Sequence, residues 1–228
     1  MRCVHGETLM KIRFKFTRSG PMRFIGHLDM MRYFQKAVMK SGIKAAYTEG
    51  YHPHQIMSFA YPLGVGMETD GDYMDLEMTE DCDPDSLKDA LNAVLHEGTY
   101  IKEASVLSDT ALNAMASVEA ADYLLYIDGD PERIKKAVSL MLDMREIAAE
   151  KSGKNIREGI YEAAVSGDGN AVFLKLSSGS KLNVRPADVF SAIKKCDETL
   201  SFEMIKRLEI YGSEDGKLTP LIKCGVAK

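Results

Sequence analysis

Three histidines stand among glycines in the first third of the chain: His27, and His52 with His54 inside the run Glu49–His54, EGYHPH. Side chains two apart on an extended backbone face the same way, so His52 and His54 address one side, and His27 would add a third imidazole. Imidazole titrates near neutrality and can ligate a metal, move a proton, or contact a phosphate or another substrate group. Hydrogen bonds that only hold the loop are the remaining reading. Nothing in the spacing selects a catalytic role, and no metal or other cofactor is expected. Gly26, His27 and Asp29 open a helix whose first N–H groups suit an anion. The Asp29 carboxylate opposes that use and fits better as a complement to the helix dipole, or as a group orienting His27 or a basic neighbour. Arg32, Lys36 and Lys40 follow at four-residue spacing as a basic stripe. Such a stripe is a solvated face or a contact for phosphate or a partner.

Around these residues lie two flexible connections, Arg18–Ser19–Gly20–Pro21 and Pro62–Leu63–Gly64–Val65–Gly66. Loops of this kind, mounted on a rigid scaffold, commonly carry function. The candidate substrate- or partner-binding residues are therefore Arg18, Gly26, His27, Asp29, Arg32, Tyr51, His52, His54, Ser58, Gly64 and Gly66. Tyr47, Tyr51, Phe59 and Tyr61 could stack on bases, as aromatics do on RNA-binding sheets, but no RNP motif accompanies them and core packing is the better reading. Asp70, Asp72, Asp75 and Glu77 match no EF-hand spacing and read as an acidic surface.

The 228 residues suffice for one large domain or two smaller ones. Apolar residues make up 45% and charged residues 28%, an ordinary globular balance with no membrane-length apolar run. The start of the chain has no apolar stretch of the signal-peptide kind, so a cytoplasmic protein is expected. Residues 1–60 carry ten Lys/Arg against three Asp/Glu, and residues 61–119 two against fourteen, so the net charge of -5 conceals a sharp asymmetry. A basic face of this sort can attract an acidic partner or phosphate, because local potential steers binding. Cys3, Cys82, Cys196 and Cys224 form no metal- or cluster-binding spacing.

The elements that must position these groups follow from periodicity. Lys11–Thr17 alternates as a half-buried strand with Ile12, Phe14 and Phe16 on one side. His27–Ser41 is helical, with Leu28, Met31, Phe34, Val38 and Met39 as its buried stripe and Gly42 as its stop. Extended segments are expected at Ile43–Tyr47, Ser58–Tyr61 and Tyr73–Met78. A helix capped by Asp83 and Pro84 should run to Gly98, followed by a strand over Tyr100–Leu107. After a linker helix at Asp109–Ser117, the order recurs. A strand at Ala120–Ile127 leads to a helix capped by Asp130, strands near Gly159–Ser166 and Ala171–Leu176, a helix from Pro186 and a strand over Ser201–Tyr211. The Ala- and Lys-rich run Asp143–Glu158 carries no clear period. The predicted class is α+β, with two tandem ferredoxin-like (βαββαβ) domains. The expected bounds are an N-terminal extension 1–9, domains 10–108 and 120–212 joined by linker 109–119, and a loose C-terminal tail 213–228.

The run RFIGHLDMMRYFQKAVMKSGI, followed by YTEGYHPHQIMSFAYPLGVGMETDGDYMDLEM, resembles the core of the radical SAM-linked protein family, a bacterial domain of unknown function. The likeness covers roughly residues 10–80. It implies a cytoplasmic bacterial protein working with a radical SAM enzyme as partner. Radical SAM chemistry needs three closely spaced cysteines, which this chain lacks, so it would reside in the partner. The expectation is an accessory or substrate-presenting protein, not an autonomous enzyme, that uses the 18–66 loops. The alternative is an RNA-binding or RNA-processing protein, by analogy with CRISPR RNA endonucleases of the Cas-six type, whose plan also pairs ferredoxin-like domains; fold alone does not fix function.

Overall fold

The alternation of Met10–Arg18 produces strand β1, whose Ile12, Phe14 and Phe16 are at most 1% exposed. The structure, a computed structural model, describes residues 10–179 and 182–227; the expected N-terminal extension and Cys3 lie outside them. β1 is flanked by β3 (Glu68–Met78), with Ile12 opposite Leu76 and Phe14 opposite Met74, and by β4 (Thr99–Leu107). The short β2 (Met57–Phe59) lies on the other side of β3, giving the order β4-β1-β3-β2 with every pair antiparallel. Helix α1 (His27–Ser41) lays Met30, Phe34, Ala37 and Val38 on one sheet face, and α2 (Pro84–Asn92) adds Leu87 and Leu91. The Phe34 ring lies 4.8 Å from Phe16 and 5.7 Å from Phe59. Gly42 ends α1 at φ +80°, a left-handed turn that glycine adopts without strain. Asp83 starts α2 by accepting the Ser86 N–H at 2.8 Å.

The second unit repeats this order. It contains β5 (Ala120–Asp128), α3 (Pro131–Leu142), β6 (Ile160–Val165), β7 (Ala171–Ser177), α4 (Pro186–Cys196) and β8 (Ser201–Glu214). β5 pairs with β7 and β8, and β6 with β7, all antiparallel, in the order β8-β5-β7-β6. Ile134, Val138 and Met141 of α3 and Val189 and Ile193 of α4 are buried. Asp130 caps α3 by accepting the Glu132 and Arg133 N–H groups. The compact units comprise the described residues of Met1–Val118 with Gly212–Lys228, and Glu119–Tyr211. With β9 (Lys217–Pro220), the described residues form nine strands and four α-helices, a mixed α/β arrangement. No helix among them is long and apolar enough to cross a membrane.

Several expectations are corrected. Ile43–Tyr47 is not a strand; it makes only isolated bridges, Ala45 to Met78 and Tyr47 to Gln55. Asp109–Ser117 is not a helix beyond a 3-10 turn at Met115–Ser117. Its polar backbone is engaged elsewhere: Leu112 C=O accepts from Arg13 and Ala114 N–H donates to Asp75. α2 ends at Asn92, short of Gly98, and there the Asn92 side-chain amide bonds both backbone groups of Ile101 in β4. Leu28 and Met39 are 67% and 61% exposed, since the buried stripe of α1 is rotated onto Met30 and Ala37. Asp143–Glu158 folds back on itself through a bridge between Ala148 and Asn155.

The polar side of β1 is also not open. Arg13 is completely buried and Asp72 and Asp75 nearly so, contrary to a half-buried strand and an acidic surface. Arg13 grips both Asp75 oxygens at 2.7 and 2.8 Å and donates to the carbonyls of Leu112, Leu221 and Cys224. The last two belong to the tail, which is therefore not loose: Leu221, Ile222 and Cys224 are buried in the first unit.

Candidate partner-binding surface

Arg18 organises the loops that the sequence singles out. It ends β1 with 2% of its surface exposed, and its guanidinium donates to Ile25 C=O at 3.3 Å, Gly64 C=O at 2.9 Å and Met67 C=O at 3.3 Å. One cation thus ties the approach to α1 to the Pro62–Gly66 connection. Gly66 at φ +87° donates its N–H to Arg23 C=O at 2.8 Å. Glu68 accepts from Gly20 N–H and from Arg23, whose guanidinium lies over the Phe24 ring at 4.8 Å. Arg18 is a positioning residue here, and Arg23 with Glu68 extends its work. No periodicity in the sequence marks those two.

Gly26 caps α1 through its carbonyl, which accepts the Met30 N–H at 2.9 Å, and its side of the turn is open. His27 is half-buried with its ring edge-on to Phe59 at 5.8 Å. Asp29 accepts from Arg32 at 3.1 Å, both exposed, so the carboxylate orients a basic neighbour as one of its two readings held. Lys36 and Lys40 are exposed along the same helix.

The EGYHPH run is a separate excursion. Its ends are pinned by Thr48 N–H on His54 C=O, by Ile56 N–H on Ala46 C=O, and by the Gln55 amide, which donates to Gln35 C=O of α1. His54 Nδ1 meets Thr48 Oγ1 at 3.1 Å, a loop-holding contact, while Tyr51, His52 and His54 are exposed. Among the described residues no three His, Cys, Asp or Glu gather as a metal site, so His27, His52 and His54 do not converge. Of the aromatics, Phe59 packs in the core as expected, but Tyr47 and Tyr51 are exposed.

A family model described as an uncharacterized protein conserved in bacteria (DUF2344) matches residues 11–186, which include every candidate residue above. The chain belongs to DUF2344. A solved structure of an unknown protein from Galdieria sulphuraria is 17% identical over 87% of this chain and 98% of that one, with a TM-score of 0.27, too slight a likeness to bear on fold or site. No curated protein matches.

The remaining candidate of this DUF2344 chain, Ser58, faces away from the others. Its neighbour Phe59 lies in the core beneath α1, so alternation along β2 sends Ser58 to the opposite sheet face. There it lines a cleft of about 320 Å³ with Lys11, Asp75, Glu77 and Asn113, whose apolar walls include Leu107 and Leu112. Burial pushes the Asp75 carboxyl above its ordinary range, with Arg13 and the Ala114 N–H pulling against it. Alternation puts Lys11 on the polar face of its strand, but the acidic run Asp70–Glu77 carries no sign that residues 111–113 line the same cleft.

Proposed function

We propose that the protein is the binding component of a two-protein system, docking a radical SAM enzyme or presenting its substrate through the surface built on residues 18–66. The observation that carries this reading is a group of exposed apolar side chains on a rigid frame. Phe24, Leu28 and Val65 are 61%, 67% and 63% exposed. The Gly66–Arg23 hydrogen bond joins the loop that carries Val65 to the turn that carries Phe24, and Leu28 lies in the first turn of α1. Large apolar groups held out in water, with Arg32 and Lys36 nearby, suit a protein partner. Loops already fixed by Arg18 lose little entropy on binding. The nature of the partner rests on the resemblance of the motif run, and a cytoplasmic, non-catalytic role goes with it. Both units are proposed to be ferredoxin-like, a reading supported by their matching 4-1-3-2 strand orders.

The test is anaerobic co-purification from the host, with iron, labile sulfide and reductive cleavage of S-adenosylmethionine measured in the captured fraction. The expected result is a cluster-containing enzyme that Leu28→Glu with Val65→Glu fails to capture. Recovery of the chain alone would overturn the proposal. The exposed stripe of Arg32, Lys36 and Lys40 favours RNA as the second reading. It requires salt-sensitive RNA binding that Arg32→Glu with Lys36→Glu weakens, and no binding at low salt would exclude it.

A further inference from the structure

The second unit leaves one strand with an unpaired side. Among the described residues β6 pairs only with β7, and no other backbone hydrogen bond reaches residues 161–165. Tyr161 is 52% exposed, and Glu162 and Ala164 are exposed beside it. A free row of N–H and C=O groups is a template for another strand, and proteins that must not use it guard it with lysine, proline, a bulge or a covering segment. The outer side of β4, in the first unit, is guarded twice: Lys102 is the extra residue of a bulge, and Ala227 N–H donates to Val106 C=O. β6 has neither lysine nor proline. Its register shift lies at its start, between Ile160 and Glu162, and leaves residues 162–165 regular.

The residues of β6 suit a second copy of the same strand. In an antiparallel pair related by a two-fold axis normal to the sheet, one residue faces itself and its neighbours are matched in reverse order. Glu162 is the one charge in the strand, so charge selects the axis. An axis at Glu162 sets two carboxylates against each other, and one at Val165 sets Glu162 against Asp168. An axis at Ala164 carries Tyr161 past the strand end, opposite Gly167. With the axis at Ala163, Glu162 of each copy meets the small Ala164 of the other, and Tyr161 meets Val165, an aromatic against a β-branched side chain on both sides of the axis. We propose that the protein forms a symmetric dimer through β6, paired antiparallel about Ala163, so that the sheet of one copy continues into that of the other. The dimer does not depend on the 18–66 surface, which lies in the first unit.

Sedimentation equilibrium of the full chain, from about 1 μM to about 1 mM, should show monomer and dimer in exchange. Hydrogen exchange locates the contact. The outward amides of β6 should gain protection as concentration rises, while those of β4 keep theirs. Ala164 is exposed, so a charge can be placed there without entering the core. Ala164→Lys brings an ammonium opposite Glu162 on each side of the axis and should tighten the dimer about threefold or more. Ala164→Glu should loosen it by about the same factor, and both effects should fade in about 1 M salt. A chain that stays monomeric throughout, a dimer whose β6 amides exchange as fast as the monomer's, or equal effects of the two substitutions would overturn the proposal. The first two outcomes are read on the wild-type chain, so they hold even where a substitution impairs folding.

Discussion

Charge in this chain is governed by partners more than by position in the sequence. Arg13 and Asp75 lie in the polar rows of their strands, yet both are buried and bonded to each other. Asp197 shows the opposite case, at the surface end of α4. Its carboxylate accepts Arg133 Nε at 2.7 Å and Nη2 at 2.8 Å, and the Thr199 hydroxyl at 2.7 Å. Those donors hold its pKa down at about 2, against an ordinary 3.8. Because the folded value lies below the unfolded one, the unfolded chain takes up the proton first as pH falls. Asp197 therefore stabilises the fold fully above 3.8 and loses that contribution as pH falls toward about 2. Urea unfolding across this range should show the wild type losing its advantage over Asp197→Asn with falling pH. A gap between the two that stays constant or widens would contradict the assignment.

At the scale of elements, two separate connections owe their geometry to one residue. If Arg18 holds the Ile25 turn and the Gly64–Met67 connection together, Arg18→Met should free them while leaving the strands intact. Hydrogen exchange at the Gly66 N–H, bonded to Arg23 C=O, should accelerate by about tenfold or more, the effect of losing charge-assisted bonds to a buried group. The amides of β1 and β3 should keep their protection. The glycines marked these connections in the sequence, and Arg18 stood among the candidates as a binding residue, but its buried, assembling role was not legible, since nothing local says that the end of a strand is buried. Elements whose signals are local were legible: the Asp83–Pro84 and Asp130–Pro131 starts, the Gly42 stop and the alternation of Ile12, Phe14 and Phe16 all stand. Asp109–Ser117 was misread because its backbone polar groups are taken up by Arg13 and Asp75, distant in sequence. His52 and His54 were legible as a loop, yet His54 serves the loop's own hydrogen bonding.

For the whole molecule, the chain does not divide where its second strand-helix pattern ends. After Tyr211 it returns to the first unit, and its last described residues complete that unit's packing. The sequence hid this because Gly212–Gly216 is small and charged, as a loose tail would be, and the burial is carried further on by Leu221, Ile222 and Cys224. Arg13 depends on that return for two of its acceptors, Leu221 C=O and Cys224 C=O. A chain truncated after Tyr211 would expose a buried guanidinium lacking those acceptors and the apolar surface that covered Leu221 and Ile222. Burying such side chains is worth about 1.5 to 3 kcal/mol each, and a hydrogen bond to a charged group about as much. The first unit should therefore lose several kcal/mol, on the order of half a domain's usual stability. Native-state hydrogen exchange separates the outcomes. In the truncated chain the amides of β1 and β3 should lose protection while those pairing β5 with β7 keep it, because Glu119–Tyr211 retains its own core. Unchanged protection in β1 would mean that the tail only rests on the first unit, and equal loss in β5 would mean that the two units share one cooperative transition.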